Sequence, residues 1–345
     1  MLYQALIRPI LFKLSSGDHE EAHLLAKRMI RGIQHVPPIL YAIESLCQAR
    51  HNPRPVEAFG ITFPNRVGLA AGFDKDAEMI PFMQAIGFGF VEIGSVLPRY
   101  QKGNDRPRMF RIEELKGIIN RMGFNSAGAS TVEANLREHR KKIRIPIGIS
   151  LGKMKTTPLE NAADDYLEVM GYLYRFGDYF VINISSPNTP GLRELQTRSY
   201  IGKLVKAVVD LSTRLGGKPV LVKLAPDMTN EEMLEAVEAA LENGISGIII
   251  SNTTTERPYL GYQSSPPAHI EEIGGWSGEW LFEKTLEKVG VVREHYPDVP
   301  IIGVGGINSA EHELRMLDQG ATLIQILTGL VYEGPGLVEE LRFIR

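Results

Sequence analysis

The chain has 345 residues, of which 43% are hydrophobic and 23% charged, and this composition is typical of a folded globular protein rather than a disordered one. Lys and Arg number 38 against 41 Asp and Glu, and the resulting net charge of −3 excludes the basic field that non-specific nucleic-acid binding requires. Cys47 is the single cysteine, which excludes an internal disulfide or a cysteine-rich metal site and indicates a reducing, intracellular compartment.

The chain begins with an apolar segment, 1–14, in which Gln4, Arg8 and Lys13 are the polar residues. It is shorter than the ~20 residues that span a bilayer, and its charges do not fit a signal peptide. Residues 1–50 predict a unit of two or three short helices ahead of a domain at 51–345. Such a unit lies in a membrane interface or packs on the main domain, and the pattern by itself favours packing.

The remaining chain repeats a short run rich in Val, Ile, Leu and Gly followed by a helix-like segment. The nearly continuous apolar runs predict parallel strands that are buried on both faces. Eight such units predict an α/β fold, a (β/α)8 TIM barrel, and a preceding segment at 56–64 predicts a small hairpin on the barrel floor. The predicted barrel strands are 67–73, 88–96, 145–152, 178–186, 220–226, 247–253, 299–307 and 321–329.

Polar residues concentrate at the C-terminal ends of these strands, where barrels hold their active sites. The amides of Asn120, Asn183, Asn188 and Asn252 both donate and accept hydrogen bonds, which suits the edge of a flat heterocycle. Each of them alone is typical of a turn or a helix cap. Long connections after strands two, four and six (97–144, 187–219 and 254–298) supply further site residues.

The ends of strands seven and eight are rich in glycine, in IIGVGGINSAEH (301–312) and ILTG (326–329). Free backbone N–H groups at this place favour a phosphate site, with a simple tight turn as the alternative. The sequence has no HExxH motif, no cluster with metal-ligand spacing and no Walker A loop, so no metal is expected.

Two lysines, Lys75 and Lys223, lie in apolar surroundings, where an ammonium needs a partner to offset its desolvation. An anionic cofactor is one such partner. Salt bridges of Lys75 with Asp74 and of Lys223 with Asp227 are an equally good explanation at this point. The residues alone therefore predict a barrel enzyme with a phosphate-bearing cofactor and leave its substrate open.

Several segments in register resemble the quinone-dependent, class 2 dihydroorotate dehydrogenases. The class is indicated by the extension at 1–50 and by Ser186, where class 1 enzymes carry a cysteine. The resemblance implies a (β/α)8 barrel with one FMN per subunit that oxidises dihydroorotate to orotate in pyrimidine biosynthesis and passes the electrons to a quinone. The segments are AAGFDKD (70–76), NRMGFN (120–125), NISSPNTPGLR (183–193), VKLAPD (222–227), SNTT (251–254), GGWSG (274–278) and IIGVGGI (301–307).

The resemblance also implies roles for single residues, with Ser186 as the catalytic base. It implies polar groups of a quinone tunnel at His23 and Arg111. The residues implied to bind FMN are Ala71, Gly72, Phe73, Asp74, Lys75, Ser95, Ser150, Asn183, Lys223, Ser251, Gly278, Gly306, Leu327 and Thr328. The residues implied to bind substrate are Lys75, Asn120, Arg121, Met122, Gly123, Phe124, Asn183, Asn188, Asn252 and Thr253.

The N-terminal unit is implied to sit on the membrane and to admit ubiquinone or menaquinone, which reverses the preference for simple packing. A monomer without a nucleic-acid partner is expected. Because the chain starts without a basic, acid-poor presequence, we expect a peripheral protein on the cytoplasmic side of a bacterial inner membrane.

Three positions depart from the family's pattern: Ser150 and Met154 stand where relatives have Asn, and Leu327 stands where they have Tyr. Three other functions compete with the one implied by the resemblance. They are a flavin barrel that reduces pyrimidines, a membrane-surface protein without activity, and an aldolase-like barrel.

Overall fold

The computed structural model describes residues 3–15, 18–48, 54–257 and 266–342. The N-terminal unit is helical, and a two-stranded antiparallel hairpin follows it where the sequence predicts one. The unit consists of a π-helical turn at Tyr3–Ile7, α1 at Arg8–Leu14, α2 at Glu20–Gln34 and α3 at Pro37–Gln48. The hairpin strands are β1 at Val56–Ala58 and β2 at Ile61–Phe63.

Parallel strands close into an eight-stranded barrel in the described part of the chain, and this confirms the TIM barrel prediction. Each strand falls inside one of the predicted runs and is fully buried, as expected for strands covered on both faces. In spatial order around the barrel they are β3 (Val67–Leu69), β4 (Phe90–Val96), β7 (Ile147–Leu151), β8 (Tyr179–Asn183), β9 (Val220–Leu224), β10 (Gly247–Ile250), β12 (Ile301–Val304) and β13 (Leu323–Ile326).

Helices connect the barrel strands and pack against their outer faces, so that the main apolar core lies between strands and helices. A second apolar cluster fills the barrel interior and includes Phe63 of the hairpin, which places the hairpin at the barrel floor. The helices are α4 (Ile80–Ile86), α5 (Ala129–His139), α6 (Ala162–Leu173), α7 (Arg198–Leu215), α8 (Asn230–Glu242), α9 (Phe282–His295), α10 (Ala310–Asp318), α11 (Thr328–Glu333) and α12 (Pro335–Leu341).

A three-stranded antiparallel sheet forms within the long connections after the second and sixth barrel strands. Its strands are β5 (Met109–Ile112), β6 (Gly117–Asn120) and β11 (Gly275–Gly278), with β6 in the middle. Trp276 and Ile119 are fully buried in its small core. The sheet brings Asn120 and Gly278, which are far apart in the sequence, to the same wall of a cavity.

Ion pairs attach α2 to the barrel domain. The guanidinium of Arg108 donates from Nε and Nη2 to the two carboxylate oxygens of Glu20, at 2.8 Å each. Glu20 is 3% exposed and Arg108 7% exposed, so this pair is shielded from solvent. Glu78, which precedes α4, pairs with Lys27 and Arg31 on the next turns of α2. No helix in the described ranges has the length and apolar character needed to cross a membrane.

A buried carboxyl on α10 is expected to make stability depend on pH. Glu313 is 2% exposed, and burial raises its pKa from about 4.5 to about 8, with Arg66 opposing this rise and Glu340 adding to it. The native state therefore holds a proton that the unfolded state releases, and the free energy of unfolding falls as pH rises between these two values. Glu313→Gln should remove this fall and stabilise the protein at about pH 9 by about 1–3 kcal/mol.

Urea unfolding at about pH 5 and about pH 9 measures this difference between the variant and the wild type. Glu311→Gln, at an exposed position of the same helix, is the matched control and should leave the pH dependence unchanged. Equal pH dependence in the Glu313 variant and the wild type would contradict the prediction.

Candidate active site

A cavity of about 460 Å³ extends from the N-terminal helices to the C-terminal ends of the barrel strands. At the helical end its wall is largely apolar and includes Leu11, Ala22, Ala26, Met29 and Ile33. At the barrel end the wall is polar and holds the two lysines and the asparagines that the sequence singles out. One continuous space therefore joins the surface helices to the mouth of the barrel.

Most of the predicted site residues line this cavity. Asp74, Arg121 and Ser150 are not among the residues that form its wall. Those that do are His23, Ala71, Gly72, Phe73, Lys75, Ser95, Arg111, Asn120, Met122, Gly123, Phe124, Asn183, Ser186, Asn188, Lys223, Ser251, Asn252, Thr253, Gly278, Gly306, Leu327 and Thr328.

The carboxylate of Asp74 is directed at the backbone ahead of α4. Its two oxygens accept the N–H groups of Glu78 and Met79, at 2.8 Å each. Burial raises the pKa of Asp74 to about 6, although these two hydrogen bonds oppose the rise. The contacts of this side chain shape the loop that carries Lys75.

Ser150 lies behind the cavity wall, where its hydroxyl is 2.8 Å from the hydroxyl of Ser95. The Nδ2 of Asn183 donates to the same Ser95 oxygen at 2.7 Å, so Ser150 touches the cavity residues through Ser95. Arg121 is directed away from the cavity and pairs with Glu272 at 2.6 Å, with its guanidinium over the ring of Phe110.

The two lysines of the barrel mouth do not form the salt bridges that the sequence left open. The Nζ of Lys75 donates to Oδ1 of Asn125 at 2.5 Å, and Asp227 pairs with Arg193 and Lys284. Within the described chain, the ammonium of Lys223 has no ion pair or hydrogen bond, although the residue is only 5% exposed. Burial lowers the pKa of Lys75 to about 8 and also lowers the pKa of Lys223.

Asparagine side chains form a hydrogen-bonded rim around Ser186. The backbone N–H of Asn188 donates to Ser186 Oγ at 3.3 Å, and its Nδ2 donates to Asn120 Oδ1 at 3.1 Å. On the opposite side, Asn252 Nδ2 donates to Ser185 Oγ at 2.9 Å. The hydroxyl of Ser186 is therefore an acceptor from the backbone and keeps its own proton available for a hydrogen bond into the cavity.

Arg193 fixes the loop that carries Ser186. From the 3-10 turn at Leu192–Gln196, its guanidinium reaches the carbonyls of Ser185 (3.2 Å) and Thr253 (3.0 Å) and the carboxylate of Asp227 (2.7 Å). One side chain thus ties together the segments that follow three neighbouring barrel strands. This arrangement fixes the backbone next to Ser186.

The glycine-rich end of the cavity requires glycine for steric reasons. Gly306 has φ +74°, and a Cβ at this position would lie 2.6 Å from the backbone N of Phe282. The hydroxyl of Thr328 at the start of α11 lies 2.7 Å from the hydroxyl of Ser277, which also lines the cavity. Gly306 and Gly329 both line the cavity at this end.

Several residues of the cavity wall are absent from the predicted set, and Asn125 and Ser277 are two polar ones that lie inside segments already singled out. Asn125 accepts the hydrogen bond of Lys75 and ends the segment NRMGFN, and Ser277 lies within GGWSG beside Gly278. Their positions inside these two segments are the signal that identifies them.

His23 and Arg111 line the helical half of the cavity. Burial lowers the pKa of His23 to about 4, with Lys27 and Lys75 acting in the same direction, so its ring is neutral at neutral pH. The guanidinium of Arg111 donates to Ser15 Oγ and to the carbonyl of Phe12, at 3.0 Å each, and lies over the ring of Phe12. Arg111 therefore holds the C-terminal end of α1 in place.

The described residues contain no group of three or more His, Cys, Asp or Glu residues that could hold a metal ion.

The sequence model of the family described as dihydroorotate dehydrogenase matches residues 55–342. Among curated relatives, a dihydroorotate dehydrogenase (quinone) of Salinispora arenicola is 45% identical over 98% of this chain and 97% of its own length. The protein of the same name from Vibrio parahaemolyticus is 42% identical over 99% of both chains. A crystal structure of DHODH from Eimeria tenella in complex with ferulenol superposes with a TM-score of 0.82 at 32% identity, covering 97% of this chain and 93% of that one. This chain therefore belongs to the quinone-dependent dihydroorotate dehydrogenases.

Proposed function

We propose that this protein oxidises dihydroorotate to orotate with bound FMN as the hydride acceptor and passes the electrons to a membrane quinone. The observation that carries the proposal is the continuous cavity, which joins Ser186 and Lys223 at the barrel mouth to an apolar passage between the surface helices. The near-complete match to proteins named dihydroorotate dehydrogenase (quinone) supports it.

The donor set at the barrel mouth fits FMN. Gly306, Thr328 and Gly329 line the cavity, and their backbone N–H groups are the proposed donors to the phosphate. The ammonium of Lys223, which has no ion-pair partner within the described ranges, supplies a positive charge for an electron-rich ring. When bound, FMN accepts a hydride from the substrate and transfers electrons to the quinone. The remaining cofactor contacts are proposed for Ala71, Gly72, Phe73, Ser95, Asn183, Ser251, Gly278 and Leu327.

Substrate recognition is assigned to the asparagine rim and Lys75. Amides that donate and accept match the alternating N–H and C=O groups of a pyrimidine ring, and the ammonium of Lys75 matches a carboxylate. The proposed substrate contacts are Lys75, Asn120, Met122, Gly123, Phe124, Asn183, Asn188, Asn252 and Thr253. Arg121 contributes through its ion pair with Glu272, which holds the backbone of this segment.

Ser186 is the proposed base that removes the proton from C5 of dihydroorotate while C6 loses the hydride. A serine hydroxyl is a weak base, so its own proton must leave through a hydrogen-bonded relay as its oxygen takes up the proton from C5, and the oxygen must be stabilised while it carries negative charge. The N–H of Asn188, 3.3 Å from Oγ, is in place to provide this stabilisation. Ser186 is 8% exposed, and this burial excludes most of the water that would compete for the proton.

The helical half of the cavity is the proposed passage for ubiquinone or menaquinone, with His23 and Arg111 as its polar groups. Apolar side chains of the N-terminal unit are exposed, among them Ile10, Leu14, Tyr41 and Leu46. Exposed apolar groups of this kind bury themselves in a membrane interface. The protein is accordingly proposed to be a monomer that is bound peripherally to the cytoplasmic side of a bacterial inner membrane.

Dihydroorotate binding is expected to weaken when the pH rises above about 8, because Lys75 then loses its proton. The KM for dihydroorotate should rise by up to about tenfold for each further pH unit. Lys75→Met should show a high KM that stays flat over the same range. A wild-type KM that is constant up to about pH 9.5 would argue against this role of Lys75.

The identity of the cofactor and the activity are tested together. The purified protein is expected to be yellow, to release FMN rather than FAD on denaturation, and to reduce ubiquinone or menaquinone when given dihydroorotate. A colourless protein that cannot be reconstituted with FMN would refute the proposal. Binding to anionic phospholipid vesicles in a sedimentation assay tests the membrane association separately.

A further inference from the structure

A polar cluster lies inside the barrel, next to the floor of the cavity. Its members are Glu92 on β4, Tyr179 on β8, Lys223 on β9 and Gln325 on β13. Glu92, Tyr179 and Gln325 are completely buried, and the residues packed around them inside the barrel are apolar. The proposed function uses Lys223 but gives no role to Glu92, although burying an acidic group is costly unless its charge is balanced.

A hydrogen bond inside the barrel holds the carboxylate of Glu92. Gln325 and Glu92 meet across β3, where the ring of Phe90 takes the space beside Gly68, and Gln325 Nε2 donates to Glu92 Oε2 at 2.7 Å. On the other side, Gly148 lies beside Glu92 in the sheet register, and a Cβ there would overlap the ring and hydroxyl of Tyr179. Gln325 and Lys223 both line the cavity, so this hydrogen bond connects Glu92 to the cavity floor.

Glu92 is the acidic group that acts on Lys223. Burial lowers the pKa of Lys223, and the nearby Glu92 opposes this lowering. Burial also raises the pKa of Glu92, and the nearby Lys223 opposes that rise. The other titratable group facing the pair is Tyr179, whose pKa is held well above its ordinary value by burial and by Glu92, so it stays neutral. No ion pair within 4 Å joins Lys223 to any described residue, which leaves its ammonium free to face the cavity.

We propose that Glu92, held by Gln325, is a positioning residue that keeps Lys223 charged in the cavity where FMN would bind and thereby sets the reduction potential of the cofactor. This inference rests on the proposed function, since it requires FMN in the cavity. A charged ammonium next to the cofactor favours the negative charge gained on reduction. Because Glu92 is separated from the cavity by Gln325, it acts on the cofactor through Lys223 rather than by direct contact.

The test measures the midpoint potential of the bound flavin as a function of pH. In Glu92→Gln, Lys223 should lose its proton at a lower pH than in the wild type, so the steeper fall of the potential with pH should begin at a lower pH than in the wild type. Glu92→Asp should restore the wild-type slope at least in part. Tyr179→Phe, which removes a neutral hydroxyl from the same cluster, is the control for altered packing and should match the wild type.

A double-mutant cycle separates the effect on Lys223 from a structural effect. In the Lys223→Met background, Glu92→Gln should no longer change the pH slope, because the group that titrates is absent. Parallel slopes in the wild type and in Glu92→Gln would overturn the inference, and so would a slope change that persists without Lys223. If Glu92→Gln does not fold, Gln325→Leu takes its place, because loss of the Gln325 hydrogen bond to Glu92 should also alter the pH slope. Glu92→Asp, which keeps the carboxylate, is then the variant for comparison.

The outcomes also distinguish this inference from the proposed function. A wild-type protein that binds no FMN, or whose flavin is not reduced by dihydroorotate, refutes the proposed function. A wild-type protein that passes both tests while Glu92→Gln keeps the wild-type slope refutes the role of Glu92 alone.

Discussion

Ser186→Ala is expected to slow the reduction of bound flavin by dihydroorotate by about 10²- to 10⁴-fold, the usual loss on removing a general base. The hydroxyl of Ser186 lies in the cavity wall and accepts the N–H of Asn188, and alanine cannot take up the substrate proton. Flavin content should be unchanged, because the proposed FMN contacts are made by other residues. Anaerobic stopped-flow measurement of the flavin absorbance gives the rate directly.

The matched control for this variant is Ser199→Ala, which makes the same chemical change at an exposed position at the start of α7. It should reduce flavin at the wild-type rate. If both variants are reduced as fast as the wild type, Ser186 is not the base.

Ala26→Phe is expected to slow quinone reduction by about 100-fold, which is a loss of about 2.7 kcal/mol in transition-state stabilisation. Ala26 lies on α2 in the wall of the helical half of the cavity, where a phenylalanine ring would fill the passage. Flavin reduction by dihydroorotate should keep its rate, because Ser186 and the asparagine rim lie at the other end. Measuring the two half-reactions separately is the required assay.

Ala42→Phe on α3 is the control, since Ala42 is exposed and does not line the cavity. It adds the same ring to the N-terminal unit without entering the passage and should leave both half-reactions unchanged. Equal losses of both half-reactions in Ala26→Phe would indicate damage to the fold, and no loss would place the quinone path elsewhere.

The barrel could be predicted from the sequence because its strands are buried on both faces and therefore read as continuous apolar runs. The run at 220–226, for example, contains β9 with every residue of the strand buried. The three-stranded sheet could not be predicted in this way. Its middle strand, β6, pairs with β11 from a distant part of the chain, and such pairing is decided by tertiary contacts rather than by local pattern.

Polar residues at strand ends predicted part of the cavity wall, and the family resemblance added further residues, among them Asp74 and Arg121. Asp74, Ser150 and Arg121 do not line the cavity. Asp74 turns to two backbone N–H groups, Ser150 is covered by Ser95, and Arg121 pairs with Glu272. In each case a neighbouring partner decides the direction of the side chain, and that partner is not evident from the local sequence. The helical end of the cavity also depends on how α2 docks through Glu20 and Arg108.

The most direct test of the account mixes the purified protein anaerobically with dihydroorotate, follows the flavin absorbance, and then adds a quinone. We expect the absorbance to bleach on mixing and to recover when quinone is added, because the cavity joins both half-reactions at one cofactor. A flavin that dihydroorotate fails to bleach would contradict the central claim, and bleaching without recovery by ubiquinone or menaquinone would contradict the proposed electron acceptor.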